Sequence, residues 1–475
     1  MLHLLLLLPL PASAPAFALA SPLSRRRLRS VNENIVNNAT FAKYLSEEAG
    51  YTVGMFGKYL NNVPPYVPVG FDAWMANGGG DYIAPSFQMY NIDSVPESKE
   101  RIYAWHGTAD AANYSTAVIG NISMAFIRKS VDSQKPFLAY IAPKAAHEPF
   151  DPAPWYAGHW DPSWPDQEPR PPNWNASFES RKDHHGNIAT EPLITDAEAA
   201  VITGVFKDRW RTLMSVDDVI GDVIDLCEEL KVADNTYFLY SSDHGFQLGE
   251  FNIAMDKRNV YDWNTRIHLL ARGPGIPHGE TWKEPATQVD IAPTFLGFAG
   301  VAKPPQMDGK SLVPLLTHPS LREELAPSTV AHLESHLGAL SVEGTAEYRA
   351  GWRDCAFIEY YYNDYNAKCM EGCKPPSPGY PHGDTNCVDL TGPDANTVCW
   401  CGGAQNCYQT ETPQNNYIAI RNMPGSPMGD TLYAEYQSGA MNQSWTNMIN
   451  IDFTKVDFVE YYNSAAYKWQ LNNLA

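Results

Sequence analysis

The chain has 475 residues, 44% of them hydrophobic, and its 34 basic and 54 acidic residues leave a net charge of −20. That length suits one large α/β domain with a smaller companion rather than a single small core. The acidic balance argues against a nucleic-acid binder, which needs a basic face, but leaves room for a local basic pocket that holds an anion.

In chain order, "MLHLLLLLPLPASAPAFALA" is a leucine-rich run followed by small residues, and it reads as a signal peptide over 1–20, cut near Ala20. It is too short and too broken by proline for a membrane span, and no later window reads as one. The expected destination is the secretory pathway, extracellular or lysosome-like. Asn38, Asn113, Asn121, Asn175 and Asn442 each open an Asn-x-Ser/Thr sequon, which agrees with that route. Residues 39–49 carry Phe41, Tyr44 and Leu45 on one face and predict a helix closed by Gly50. "YTVGMF" predicts the next strand, 62–100 a loop-rich stretch, 115–130 an amphipathic helix and 136–143 a buried strand. Residues 148–193 lack periodicity and read as a long loop. Its Trp155, Tyr156, Trp160, Trp164 and Trp174 suit either a sugar platform or packing beneath an ordered loop, and packing is the expectation.

Val216, Val219, Ile220, Val223, Ile224 and Cys227 recur at helical spacing, Asp234-Asn235 supplies a turn, and Tyr237–Tyr240 reads as a short buried strand of the parallel type. A strand and turn over 266–277 and a helix beginning around Pro293 follow. Residues 321–352 read as a linker. From 353 to 475, "AFIEYYY", "NNYIAIRN" and "DTLYAEY" predict a small antiparallel sheet. Into it falls an insertion, 369–407, holding Cys369, Cys373, Cys387, Cys399, Cys401 and Cys407; in a secreted chain this reads as a disulfide-stapled loop. Zinc is the alternative, but Cys-x-Cys is unusual for structural zinc and no histidine cluster accompanies it. No internal repeat is visible.

The strand at Tyr237 stops at Asp243-His244-Gly245. In open α/β sheets, ligands sit beyond the carboxyl ends of strands. A carboxylate beside an imidazole suits a divalent cation or acid–base work, Gly245 suits a sharp backbone turn, and Lys257 suits an anion. By themselves these three letters favour the plainer reading, an aspartate that caps a helix or turn and a histidine on a solvated loop.

The surrounding blocks resolve that ambiguity. "SDHGFQLGEF", "DKRNVYDWNTRIHLLARGPGIP", "VDIAPTFLGFAGVAKPPQMDGKSLVPLL", "YTVGMFGKYLNN", "FLAYIAPKAAHEPF" and "LMSVDDVIGDVIDLCEEL" resemble, in order, the sulfatase family and its arylsulfatase and N-acetylglucosamine-6-sulfatase branch. The resemblance implies an alkaline-phosphatase-like α/β fold: a mixed, mostly parallel sheet flanked by helices over 21–320, with a smaller C-terminal antiparallel-sheet subdomain. It implies calcium-dependent hydrolysis of sulfate esters of sulfated sugars or aryl sulfates. Residue by residue, it assigns Asp243 and His244 to half of a calcium site, and Lys58 and Lys257 to sulfate. His147 becomes the acid near the leaving oxygen, and Arg258 stands in for Lys257 if the loop register differs.

The departures are as informative. The family's strand ending in paired aspartates is absent: the first aspartate here is Asp72. So is Cys-x-Pro-x-Arg, whose first residue becomes the formylglycine nucleophile: the first cysteine is Cys227, Cys373 in "CKPPS" lacks the arginine, and "SPLSR" at Ser21–Arg25 is a faint echo with Leu23 in place of proline. The expectation is therefore one calcium ion with half of its usual ligands missing and no nucleophile. Either the chain is N-terminally incomplete, in which case a formylglycine-generating enzyme is a partner of the longer form, or it is a catalytically dead relative that binds sulfated glycans. A phosphoester hydrolase of the same superfamily is a further alternative. A missing central strand would also leave an apolar seam in the sheet.

Overall fold

The computed structural model describes residues 2–7, 38–61, 63–189, 191, 193–318, 342–361, 415–437 and 451–475. The stretch containing Ala20 and "SPLSR", most of the linker, the cysteine-rich insertion and Asn442 lie outside the described residues.

An eight-stranded sheet organises the larger part. Its strands are β1 (Leu2–Leu7), β2 (Thr52–Lys58), β3 (Ala73–Asn77), β4 (Ser86–Tyr90), β5 (Tyr103–His106), β6 (Phe137–Ala142), β7 (Tyr237–Ser242) and β8 (Leu269–Arg272), in the spatial order β5-β4-β3-β2-β6-β1-β7-β8. β2 pairs parallel with β3 and β6, while every other pairing is antiparallel, so β2, β3, β5, β6 and β7 all run the same way. The sheet is mixed with one dominant direction, as expected.

The slot between β6 and β7 is where the sequence leads one to expect a seam. Leu2–Leu7 occupies it, opposite in direction to both neighbours, with Leu4 beside Ile141 and Tyr240 and Leu6 beside Ala139 and Phe238. The parallel-type reading of Tyr237–Tyr240 needs correcting in this respect. β7 is as buried as expected and follows β6 in direction, but both of its neighbours are antiparallel, because β1 intervenes and β8 flanks the other side. The same leucines also compose the expected signal peptide; as a strand they satisfy backbone groups that β6 and β7 would otherwise leave open.

Helices cover both faces. α1 (Phe41–Ala49) ends at Gly50 in the left-handed region, and α4 (Ile291–Ala299) packs beside it. Ala42, Leu45, Phe295 and Phe298 meet Val53, Met55, Leu138 and Leu239 on that face. On the other, α2 (Ser115–Asp132) and α3 (Asp196–Glu229) bring Ile119, Phe126, Val223 and Cys227 against Phe56, Phe137, Ala139 and Ile141. The alternation along β6, with Phe137, Ala139 and Ile141 on one face and Leu138 and Ala142 on the other, is the period-two signature of a strand buried on both sides. α3 is one 34-residue helix, opened by a capping box in which Thr195 and Glu198 satisfy each other's backbone N–H groups. Sequence periodicity exposed only its second half, because the first half packs against the long loop.

That loop's aromatics mostly pack. Trp160, Trp164, Phe206 and Trp210 form one cluster, and Trp174 donates to the Leu248 carbonyl at 2.8 Å beneath the Arg170 guanidinium. Trp155 is exposed. The Asn175 amide is committed to both backbone groups of Ile194, at 2.7 and 3.0 Å, which makes it poorly placed as a surface acceptor.

Within the expected linker, α5 (Val342–Ala350) packs on the turn at Val313–Leu316. The C-terminal sheet is antiparallel in the order β12-β11-β10-β9, with β9 Cys355–Tyr360, β10 Tyr417–Asn422, β11 Thr431–Tyr436 and β12 Phe458–Asn463. Its apolar face, including Tyr417, Leu432 and Tyr462, closes over Phe251, Ile253 and Tyr261 of the larger part.

Candidate anion site at the carboxyl edge of the sheet

β2, β6 and β7 deliver their carboxyl ends to one edge, and the sequence-derived residues leave from there. Lys58 closes β2, His147 lies in the turn after β6, Asp243 and His244 follow β7, and Lys257 returns in the next loop. Gly57, at φ +117°, makes the approach of β2 to β6 possible: a Cβ there would lie 2.1 Å from the Ala142 carbonyl oxygen. Gly245 is required for a different reason than a turn. Its N–H donates to the Asn264 carbonyl at 2.8 Å, and a Cβ would lie 1.8 Å from the Trp263 carbonyl oxygen, so the residue is small because two backbones touch.

The cations are held by neutral groups. The Lys58 ammonium donates to Asn61 Oδ1 at 2.6 Å and to the Gly78 carbonyl. Two residues on, the Gly80 carbonyl accepts from Lys144, whose ammonium also lies 4.5 Å from the centre of the Tyr82 ring. One glycine loop thus clamps two lysines, one from β2 and one from the β6 turn. Among the described residues, no carboxylate comes within ion-pair distance of Lys58, Lys144 or Lys257. Burial depresses Lys58 and Lys257 below the ordinary lysine range, and the Lys257 charge depresses Lys58 further, against the pull of Asp243 and Glu148. Burial also brings Lys144 down to about 8. Arg209 of α3 donates to the Ala146 carbonyl and stacks on Phe246 at 4.3 Å; burial brings it to about 10.

His147 is positioned from several sides. The Tyr82 hydroxyl donates to its carbonyl at 2.9 Å. Its Nδ1 lies 3.0 Å from the Glu148 carbonyl oxygen and 3.1 Å from Glu148 Oε2. Burial drives its basicity down to about 4, with Lys257 and Lys144 pushing the same way and Glu148 opposing. Arg258, the stand-in for Lys257, is otherwise engaged: its guanidinium pairs with buried Asp256 at 2.6 Å, and its carbonyl accepts from Tyr417 at 2.9 Å and Asn415 at 3.2 Å. Lys257 thus remains the residue of that loop for an anion. Asp243, His244 and Lys257 open on a cleft of about 2040 Å³.

The expected calcium site fits poorly. Asp243 Oδ1 accepts the His244 backbone N–H at 3.1 Å, His244 Nε2 lies 3.3 Å from Oδ2, and its Nδ1 meets the Gly245 carbonyl oxygen at 2.8 Å. No cluster of three or more metal-ligating side chains exists among the described residues. One carboxylate and one imidazole fall well short of the six to eight oxygens calcium takes. No described cysteine reaches the site either: Cys227 is buried within α3 and Cys355 begins β9.

The structure also supplies residues that motif reading passed over: Lys144, Glu148, Arg209, Tyr82 and the carbonyls of Gly78 and Gly80. Lys144 and Glu148 stand inside "APKAAHEPF", so their proximity to His147 was available, although their partners were not.

The sulfatase family profile matches residues 17–301. The chain belongs to the sulfatase family. N-acetylglucosamine-6-sulfatase of the goat Capra hircus is 28% identical over 444 residues, 92% of this chain and 65% of that protein. The extracellular sulfatase SULF-1 homolog of Drosophila melanogaster is 35% identical over 288 residues, 58% of this chain and 24% of that protein. The chain therefore spans less than two-thirds of the length of these sulfatases. A solved protein in complex with its substrate D-glucosamine-2-N,6-O-disulfate superposes with a TM-score of 0.57 at 22% identity, covering 91% of this chain and 77% of that one, which speaks for the sulfatase fold.

Proposed function

We propose that this sulfatase-family chain is a sulfuric ester hydrolase of sulfated sugars, gripping the sulfate with Lys58, Lys257 and His147. The observation that carries the reading is the excess of positive charge at the sheet edge, with Lys144 buried and Lys58 and Lys257 half-buried, where Lys58 and Lys144 are held by carbonyls and an amide rather than by carboxylates. Burying an ammonium without a counter-charge costs several kcal/mol, and a bound tetrahedral anion restores the balance. Lys58 and Lys257 donate to the non-bridging oxygens, and His147, when protonated, donates to the ester oxygen as the sulfur–oxygen bond breaks. The sugar substrate is supported by the names of the glucosamine-6-sulfatase relatives, and the secretory destination by the extracellular one. No helix among the described residues is long and apolar enough to cross a membrane.

Hydrolysis also needs a nucleophile, and no described residue takes that role. A second reading, which needs no nucleophile, is a sulfated-glycan binder that uses the same cations without turnover. Calorimetric titration with glucosamine 6-sulfate, combined with turnover of fluorogenic aryl sulfate and aryl phosphate, separates the possibilities. Binding with sulfate turnover supports the hydrolase, binding alone supports the binder, and preference for phosphate indicates a phosphoester hydrolase. No binding, or binding unchanged in Lys257→Met where a loss of about tenfold or more is expected, defeats the sulfate assignment.

A further inference from the structure

The mechanism leaves a difficulty at His147. A histidine donates to an ester oxygen only with a proton on the nitrogen that faces it, and desolvation together with the charges of Lys257 and Lys144 works against the imidazolium. Glu148 bears directly on this. Two acceptors, its own main-chain carbonyl at 3.0 Å and its carboxylate at 3.1 Å, converge on Nδ1 of His147. A nitrogen between two acceptors carries the hydrogen, so the neutral ring is the Nδ1–H tautomer and Nε2 presents its lone pair away from Glu148.

We propose that Glu148 is a positioning residue for His147: its carboxylate fixes the Nδ1–H tautomer, aims Nε2 at the bound ester, and supplies the counter-charge that lets the ring carry a second proton. The proposal rests on the sulfate-site reading for its catalytic meaning, but the dyad itself is a property of the protein alone. In the ester step, a water oxygen bonds to sulfur and releases its proton to solvent as the bond from sulfur to the sugar oxygen breaks; the proton on Nε2 passes to that departing oxygen, and the ring returns to the neutral Nδ1–H form still held by Glu148.

The groups facing the dyad can be named from each side. Lys257 and Arg258 approach from the loop after β7, and Lys144 from the same turn as His147. The Tyr82 hydroxyl and the Arg209 guanidinium bind the His147 and Ala146 carbonyls from the glycine loop and α3. Among these, Glu148 is the negative group in contact with the ring. It stays ionised because, although burial raises its affinity for a proton, His147 and Lys257 outweigh burial and hold it below the usual glutamate range.

The test uses the full chain labelled with ¹⁵N-histidine. Long-range imidazole spectra report the tautomer and titration of each ring, and His147→Asn identifies the signal. In the wild type, the His147 resonances should show the Nδ1–H form. In Glu148→Gln the imidazolium fraction at fixed acidic pH should fall about tenfold, the effect of losing one adjacent charge, while Glu148→Asp should recover most of it. An Nε2–H tautomer in the wild type, or a titration unchanged in Glu148→Gln, overturns the proposal. Sulfate titration of the same samples separates the two claims. A wild type with the predicted tautomer and no sulfate binding defeats the functional reading and leaves the dyad standing; sulfate binding with an unperturbed Glu148→Gln titration does the reverse.

Discussion

Glu460, in the middle of β12, is fully buried and accepts four kinds of donor: the His185 backbone N–H and Nδ1, both at 2.8 Å, the Tyr261 hydroxyl at 3.1 Å and the Tyr436 hydroxyl at 3.0 Å. Tyr261 belongs to the loop that carries Lys257, so this carboxylate ties the C-terminal sheet to the anion site. Burial alone would raise its proton affinity, but the charge and hydrogen bonds of His185 prevail and lower it from the ordinary 4.5 to about 2. At 1.36 kcal/mol per unit, that difference is worth about 3 kcal/mol of folding stability. A depressed carboxylate stabilises the fold at every pH above the unfolded value and loses that contribution as pH falls towards the folded one. The contribution is therefore complete at pH 7, falls to roughly half at pH 3, and is gone below about pH 2. Glu460→Gln preserves the shape, removes the charge and points an amide N–H₂ towards donors. Urea unfolding of both proteins should show a deficit of about 3 kcal/mol at pH 7 that narrows by about half at pH 3. A deficit below about 1 kcal/mol at pH 7, or one that is the same at both pH values, would refute the reasoning.

Gly57→Ala would drive a methyl group into the Ala142 carbonyl at a backbone angle that L-residues avoid. It should cost about 2 kcal/mol or more and weaken sulfate binding through Lys58; a variant with wild-type thermal midpoint and affinity would contradict the close approach. Leu5→Pro, opposite Tyr140 and Leu239, removes a ladder donor from β1. Faster amide exchange in β6 and β7 and a loss of roughly 1–3 kcal/mol are expected, whereas unchanged exchange would mean that residues 2–7 do not fill the slot. The intact mass of protein secreted from a eukaryotic host tests the competing fate of those leucines: loss of residues 1–20 identifies a removed leader, and retention identifies a strand. Calcium should bind this chain no more tightly than about millimolar, given the single carboxylate at Asp243; micromolar affinity by calorimetry would show a ligand set beyond the described residues.

The sequence by itself determined several of the strands and helices and where chemistry gathers, but not β3 and β4, which lie within the stretch read as loop-rich, nor β1, read as a signal peptide. β2, β6 and β7 were legible because doubly buried strands are short apolar runs, and α1 because Gly50 closes an amphipathic face. Lys58, His147, Asp243 and Lys257 were legible because polar residues that end such runs fall at a sheet edge. What surrounds them was settled only by tertiary structure. The acceptors for Lys58 and Lys144 are backbone carbonyls of a glycine loop, and a carbonyl has no side-chain signature in a sequence. Glu460 meets His185 across 275 positions and Tyr261 across 199, distances over which residue type carries no information about partnership. The antiparallel company of β7 is likewise a matter of placement. A strand's own residues record that it is buried, but the direction of its neighbour depends on which distant segment arrives to satisfy its N–H and C=O groups.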